Sequence, residues 1–368
     1  MNKSLENKTK KKIMITFREG GNNGGPNNSH KRISESWLKE KYEFIPLYIP
    51  KGRLGLFNIK IIKNIANQIK REKPDIVHFA GLELIGWYGM LASKFAGIKN
   101  TLLAVHGSTS EAVFFNKNII KKRIMNFVEM VTLRNSRYIY GVSEYVSGWK
   151  KIKKHAKNYM GHIYNLPIEK KDNIDPKEDF RKEFGMSEDD ILIVSTGRIE
   201  IEKGFETLKQ IIVENKWYKK IKFVIVGNGS YLNDMKKSIE ESTMKENVIF
   251  TGFRTDIDNI LEDCDIFVIC TWHETLCMSV IEACQHKLPV VASNVGGIPE
   301  IIEDKKNGFL VEPKDKTCFI KNIEELIENP ELRGIMGEEG YELINSKFNA
   351  DNILNRLDEI YAKILEEK

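Results

Sequence analysis

No stretch of this 368-residue chain is apolar for the roughly 20 residues that a membrane-spanning helix needs. The longest candidate, residues 80–92, is shorter than that and carries Glu83. The opening MNKSLENKTKKKIMITF has basic residues but only a short apolar segment, IMITF, so it reads as a first strand and not as a secretion signal. Cysteine is scarce: Cys264, Cys270, Cys277, Cys284 and Cys318 all fall in the second half, and their number is odd. No two have C-x-x-C spacing, which argues against a zinc ribbon or a redox motif and leaves buried small apolar residues in a reducing cytoplasm. Acidic residues are scarce in the first half. Residues 1–165 hold 11 Asp+Glu against 30 Lys+Arg, net +19, whereas residues 166–368 hold 41 against 27, net −14. Such a split suggests that the first half meets something anionic, such as a membrane surface, a phosphorylated acceptor or a nucleic acid. The competing reading is solvated lysine in a Lys-, Asn- and Ile-rich chain.

A hydrophobic content of 41% and a charged content of 30% fit a globular protein, and the length suggests two domains. The first half alternates strand-like runs (13–17, 44–49, 75–79, 101–105, 138–142) with helical ones (29–41, 58–73, 82–96, 118–133, 143–154). Residues 165–177, with Pro167 and Pro176, read as a linker. Alternation then restarts with strand candidates 191–196, 223–226, 248–251, 266–270, 289–292 and 309–311, followed by a helical tail that breaks near Pro330. The expected domains are 1–165, a linker 166–177, a second domain 178–345 and a tail 346–368. Two doubly wound parallel sheets in tandem follow, with ligands expected at the carboxyl ends of strands, in a cleft between the domains.

Several constellations fall at such strand ends. The loop REGGNNGGPNNSH offers Gly24 and Gly25 for close backbone approach, with Ser29 as a candidate N-cap. It is not G-x-G-x-x-G, and no acidic residue ends the next strand, which counts against a nicotinamide enzyme. STGRIEIEKGFETL places Arg198 and Lys203 at one strand end, where two cations suit a pyrophosphate. In DIFVICTWHETLCMSVIEACQ a strand leads through a short turn into a helix, whose first N–H groups are free for phosphate. Glu274 and Glu282 stand eight positions apart there and are suited to accept hydrogen bonds from sugar and ribose hydroxyls. As a glycosidase pair they are poorly spaced: eight helical residues rise roughly 12 Å, against the about 5–9.5 Å that hydrolysis uses. His106 follows a buried strand in LLAVHGST, and His78 in IVHFAG competes with it. Asp256/Asp258 and Asp263/Asp265 have the D-x-D form but sit at helix ends, so no metal site is expected.

Taken together these motifs resemble family 4 of the retaining glycosyltransferases, with the GT-B fold. The resemblance is carried by GRIEIEKG, VIVGNG, TGFRTDI, ETLCMSVIE and KLPVVASNVGGIPEII, over roughly residues 191–313. The first half matches only in its Gly-Gly-Pro loop, Val-His-Gly and Val-Ser-Glu. The resemblance implies two Rossmann-like domains facing across a cleft, with the C-terminal helix returning to the first domain. It also implies that Arg198 and Lys203 bind the donor diphosphate and that Glu282 holds the ribose. Glu274 contacts the donor sugar, and Phe253 and Arg254 lie beside the nucleobase. Thr275 and the backbone N–H groups of Leu276, Cys277 and Met278 meet phosphate and sugar. Gly24 and Gly25 approach the donor from the first domain, and His106 lies near the sugar. Thr275-Leu276-Cys277 replaces the frequent Gly-Phe-Gly, which puts the local shape at Cys277 in question. The expectation is a cytoplasmic, metal-independent, retaining transferase without a cofactor. It uses a nucleotide sugar (a uridine diphosphate sugar first), a glycan or lipid-linked acceptor and no nucleic acid, and it is peripheral on anionic membrane through its basic half. Two alternatives are a sugar-nucleotide epimerase of the same architecture and a non-enzymatic membrane- or polyanion-binding module.

Overall fold

The computed structural model describes residues 9–20, 25–50, 55–109, 111, 119–168, 180–214, 217 and 220–367. The chain divides into two compact units, Met1–Leu166 with Ala350–Lys368, and Pro167–Asn349. Each is built on a six-stranded parallel sheet, as the alternation of strand and helix predicts.

The first unit contains β1 (Lys11–Arg18), β2 (Tyr42–Ile49), β3 (Ile76–Ala80), β4 (Thr101–Val105), β5 (Tyr138–Gly141) and β6 (Tyr159–His162), in the order β2-β1-β3-β4-β5-β6. The central runs IVHFA, TLLAV and YIYG are buried at every position, because helices cover both faces. Ile62, Ile65 and Ile69, on one stripe of helix Ile59–Glu72, enter the same core as Leu103, Ile139 and Trp87. Asn58 caps that helix by accepting from the Ile61 N–H. The last helix, Ala350–Glu366, belongs to this unit and packs on β3. Its Tyr361 hydroxyl meets His78 Nδ1 at 2.8 Å, and its Asp358 pairs with Lys41 at 2.6 Å.

Three local expectations are corrected. The first helix begins at Gly25 and not at Ser29, and Ser29 is buried within it. Asn27, in the first turn, clips the end of β1: its Oδ1 accepts from the Arg18 N–H and its Nδ2 donates to the Arg18 carbonyl, both at 3.0 Å. The helical run after β5 is two pieces, Glu144–Ser147 and Lys150–His155, interrupted at Gly148-Trp149. His78 lies mid-strand, with its second ring nitrogen 3.0 Å from the Tyr140 hydroxyl, so it is a satisfied core histidine.

The second unit contains β7 (Ile191–Thr196), β8 (Ile221–Val226), β9 (Val248–Gly252), β10 (Ile266–Ile269), β11 (Val290–Ser293) and β12 (Gly308–Val311), in the order β12-β11-β10-β7-β8-β9. Strand order reverses between β7 and β10 here, and between β1 and β3 in the first unit. In open parallel sheets the crevice beyond such a reversal is where ligands sit. Four of the five cysteines are buried, as expected of small apolar residues, and Cys318 is half-buried. Pro330 opens helix Pro330–Lys347 at its first turn, which explains the break in the tail. Among the described residues no helix is long and apolar enough to cross a membrane.

Candidate functional site

The second unit brings its motifs together at the reversal between β7 and β10. After β7 the chain runs through Gly197 and exposed Arg198 into a 3-10 turn, Ile201–Lys203, and then into helix Phe205–Glu214. After β10 it runs through residues 270–277 into helix Met278–Gln285. The two loops are stitched together. The Trp272 N–H donates to the Glu202 carbonyl at 3.1 Å, and the Trp272 indole N–H donates to the Thr207 hydroxyl at 3.2 Å. A Cβ on Gly204 would lie 1.9 Å from the Cys270 carbonyl oxygen, so only glycine lets the loops meet. On the other side, a Cβ on Gly296 would lie 1.7 Å from the Glu274 carbonyl oxygen. The Gly-Gly-Ile-Pro-Glu turn is therefore a backbone buttress for the Glu274 loop.

Within this frame the Lys203 ammonium contacts Glu274 Oε1 at 2.5 Å, with side-chain exposures of 24% and 15%. Burial works against the lysine's charge, but Glu274 outweighs it and holds the ammonium above the ordinary lysine range. Arg198 lies near enough to oppose that charge, so two cations and one carboxylate share the strand end. The pairing of Lys203 with Glu274 was not legible from spacing, which treated the two residues separately.

Helix Met278–Gln285 starts without a side-chain cap; the Val280 and Ile281 N–H groups donate to the Cys277 carbonyl at 3.2 and 3.3 Å, which leaves the Met278 and Ser279 N–H groups at the helix tip. The Cys277 side chain is buried and its thiol is pushed up to about 12, first by burial and then by Glu274. It fills the core and stays protonated, so the departure from glycine is absorbed on the inner side of the loop. Leu276 is buried; Thr275 and Met278 are half-buried. Glu282 is half-buried within the helix, and its backbone carbonyl accepts from the His286 N–H.

The residues beyond β9 behave differently from each other. Phe253 is exposed. The Arg254 guanidinium is committed to Glu183 (2.7 and 2.9 Å) and Asp256 (2.6 and 2.8 Å), so it braces helix Phe180–Glu183 against this turn instead of standing ready for a ligand. Both D-x-D pairs are likewise occupied by protein partners: Asp256 by Arg254, Asp258 by His286 and Asp265 by Arg181. Among the described residues no group of three His, Cys, Asp or Glu side chains is placed to hold a metal ion.

In the first unit His106 follows β4 directly, as expected of a site residue. Its Nε2 is buried without a hydrogen-bond partner, and burial, then His30, lowers its pKa to about 3, so the imidazole is neutral. Gly25 opens the first helix with no atom within 4 Å of where a Cβ would stand, so close approach is possible there. Gly24 lies outside the described residues. The sequence reading missed what anchors the His106 loop. Glu129, fully buried, accepts from the Thr109 N–H at 2.7 Å and the Ser108 hydroxyl at 2.8 Å, and pairs with Lys151 at 2.6 Å. A lone glutamate in the apolar run FVEMV was the one available signal.

Comparison with known families matches residues 176–343 to Glycosyl transferases group 1 and residues 24–149 to Glycosyltransferase Family 4. The chain belongs to glycosyltransferase family 4. As a glycosyltransferase it is an enzyme, and the reading as a non-catalytic binding module gives way. It is similar to the UDP-Gal:alpha-D-GlcNAc-diphosphoundecaprenol alpha-1,3-galactosyltransferase of Escherichia coli, at 26% identity over 84% of this chain and 82% of that protein. It is also similar to a capsular polysaccharide biosynthesis glycosyltransferase of Staphylococcus aureus, at 26% identity over 90% and 88%. Among solved structures, HepE of Anabaena in complex with UDP superposes with a TM-score of 0.78 at 17% identity, covering 96% of this chain and all of that one. Sucrose-phosphate synthase of Thermosynechococcus elongatus gives 0.80 at 16% identity, covering 98% and 100%. These likenesses show the GT-B fold in this glycosyltransferase.

Proposed function

We propose that this glycosyltransferase moves a sugar from a uridine diphosphate sugar to a glycan or lipid-linked acceptor in cell-surface polysaccharide synthesis. In this reading the anomeric configuration is retained and no metal ion takes part. The observation that carries it is the strand end where Arg198, Lys203 and the uncapped start of helix Met278–Gln285 gather beside Glu274. Support for uridine comes from the E. coli relative named for UDP-Gal and from the structure of HepE in complex with UDP-glucose. Support for a polysaccharide role comes from the capsular relative.

The chemistry follows from these groups. The bond between the anomeric carbon and the diphosphate oxygen breaks, and its electron pair leaves with the nucleotide. Arg198, Lys203 and the helix N-terminus stabilise that developing charge. The acceptor oxygen bonds to the same face of the anomeric carbon and passes its proton to the departing phosphate oxygen. Glu274 and Glu282 accept from sugar and ribose hydroxyls, and neutral His106 offers a hydrogen bond near the sugar.

A thermal-shift panel of nucleoside diphosphates tests the donor. UDP raises the apparent stability, whereas GDP and ADP do so only at much higher concentration. Equal shifts from all three would remove the uridine assignment. Transfer assays in EDTA retain their rate, and loss of rate that Mg²⁺ or Mn²⁺ restores would end the metal-free reading. The excess of basic residues in 1–165 supports peripheral binding to the cytoplasmic face of an anionic membrane. Flotation with anionic liposomes at low salt tests this, and protein that stays wholly in solution refutes it.

A further inference from the structure

The first unit has its own strand reversal, between β1 and β3, and an apolar groove begins beside it. Arg18 ends β1, and Glu83 follows β3 immediately before helix Leu84–Ala96. Glu83 accepts a hydrogen bond from the Thr109 hydroxyl, and Glu129, Arg18 and Lys121 all act on its carboxylate electrostatically, the first against its charge and the two cations in favour of it. Leu84 and Lys121 also line a groove of about 410 Å³, whose other walls are Gly55, Leu56, Ile120, Ile124 and Met125. One end of the groove is thus charged, with the Lys121 ammonium in its wall, and the rest is hydrocarbon.

Two facts argue that the groove is a built feature. Its Gly55–Leu56 wall is pinned from below: the Trp87 indole N–H donates to the Leu56 carbonyl at 2.7 Å, and the Tyr88 hydroxyl donates to the Gly55 carbonyl at 3.1 Å. The opposite wall belongs to helix Ile119–Asn135, which buries Val128, Thr132 and Leu133 yet leaves Ile120 and Ile124 exposed. Phe57, next in the chain to Leu56, is 70% exposed and stacks edge-on against Trp87. Single exposed apolar residues are ordinary, but a contiguous set around a preformed groove marks a surface that binds. Lys121, Lys122 and Arg123 interrupt that set with positive charge, which suits a ligand that is both apolar and anionic.

We propose that this groove binds the hydrocarbon chain of a lipid-linked acceptor, with the acceptor's phosphate at Lys121 and Arg18 and its sugar hydroxyls at Glu83. This rests on the transferase reading and narrows its acceptor from a glycan or a lipid-linked sugar to the latter. The groove takes the chain next to the phosphate, charge complementarity sets its direction, and Glu83 beside the strand reversal meets the polar head.

The test uses the full-length protein and monomeric farnesyl phosphate, with farnesol and inorganic phosphate as separate arms, read by tryptophan fluorescence, Trp87 lying beneath the Leu56 wall and bonded to it. Farnesyl phosphate binds at least about tenfold tighter than farnesol, because it adds a charge-assisted contact, and phosphate alone does not bind measurably. Ile124→Asp and Lys121→Glu change surface positions, so the fold is kept, and each weakens farnesyl phosphate at least about tenfold while UDP affinity is unchanged. Equal binding of farnesol and farnesyl phosphate, or binding that neither substitution alters, overturns the proposal. So does binding to phosphatidylglycerol vesicles with none of the monomeric lipid, which would make the groove a membrane-docking surface. Absence of lipid binding with normal UDP binding sinks the acceptor site alone, whereas absence of UDP binding sinks the donor reading on which it rests.

Discussion

The Lys203 ammonium and the Glu274 carboxylate are each other's counterion across the loops that follow β7 and β10. A diphosphate that needs Lys203 must therefore share it with Glu274. Glu274→Gln removes the competing charge and one negative neighbour of the diphosphate, so UDP affinity rises by a few fold. If Glu274 accepts from the donor sugar as proposed, transfer falls by about 10²-fold or more. Lys203→Met does the opposite to binding: UDP weakens, and turnover drops by about 10²–10³, the range for removing one preorganised charge-stabilising group. Isothermal titration with UDP alongside initial rates separates these outcomes. Weaker UDP binding in Glu274→Gln would show that the two residues do not compete.

The Gly296 contact makes a second prediction, about the frame. A methyl group at Gly296 would stand 1.7 Å from the Glu274 carbonyl oxygen on a backbone with φ of +61°. Gly296→Ala therefore costs about 2 kcal/mol or more and displaces the Glu274 loop, so UDP binding fails before the fold does. Gly334 offers the contrast: it is exposed in helix Pro330–Lys347 with no atom within 4 Å of where a Cβ would stand. Gly334→Ala stabilises by about 0.5–1 kcal/mol. Chemical denaturation of both variants checks the pair, and a neutral Gly296→Ala would mean that the loops are not in backbone contact.

The strands were legible because a parallel sheet covered on both faces demands continuous apolar runs, and ILIVST, IFVI and TLLAV are of that kind. The strand that escaped, β6, is the exception that shows the reason. YMGH is half-buried at the sheet edge and carries a glycine and a histidine. The false start of the first helix at Ser29 came from a good capping residue, which tertiary packing instead buries within the helix while Asn27 fastens it to β1. Strand ends pointed to Arg198, Lys203 and Glu274 as candidates, because a doubly wound sheet puts its ligand site there, and the fold does gather the three beside β7 and β10. Their partnerships were not legible: Lys203 meets Glu274 across 71 positions and Arg254 meets Glu183 across 71, distances that only the fold closes. Arg254 is the instructive case, since a motif position that looked fit for a ligand is occupied by two carboxylates of the protein itself.

Three neutral histidines give the first unit a predictable response to acid. Burial lowers His30 to about 4 and His106 to about 3, and it takes His78 well below its ordinary range. Below pH 6.5 the unfolded chain takes up protons on these residues and the native protein does not. Stability is therefore complete above about pH 6.5 and is lost as pH falls toward about 4, by about 1.4 kcal/mol per pH unit for each histidine. Melting temperatures at about pH 7.5, 6 and 5 measure the slope. His106→Asn removes one titrating group and flattens it by about a third; an unaltered slope would show that His106 takes up its proton equally in both states.

The buried pair Glu129–Lys151 separates positioning from folding in the same unit. Glu129 is fully buried and Lys151 nearly so, and the carboxylate also receives the Thr109 N–H and the Ser108 hydroxyl just beyond His106. Lys151→Met strands a buried carboxylate and costs about 3–5 kcal/mol. Adding Glu129→Gln removes that charge while keeping an acceptor for Thr109, so the double variant recovers a large part of the loss. Because the pair holds the segment that follows His106, and because the proposed diphosphate site lies in the other unit, the double variant is slower in transfer than the wild type at equal UDP affinity. Urea unfolding of the single and double variants gives the first comparison, and turnover at saturating donor gives the second. A double variant no more stable than Lys151→Met would show that the lost stability does not come from the stranded charge, and unchanged turnover would show that the His106 loop keeps its place without the pair.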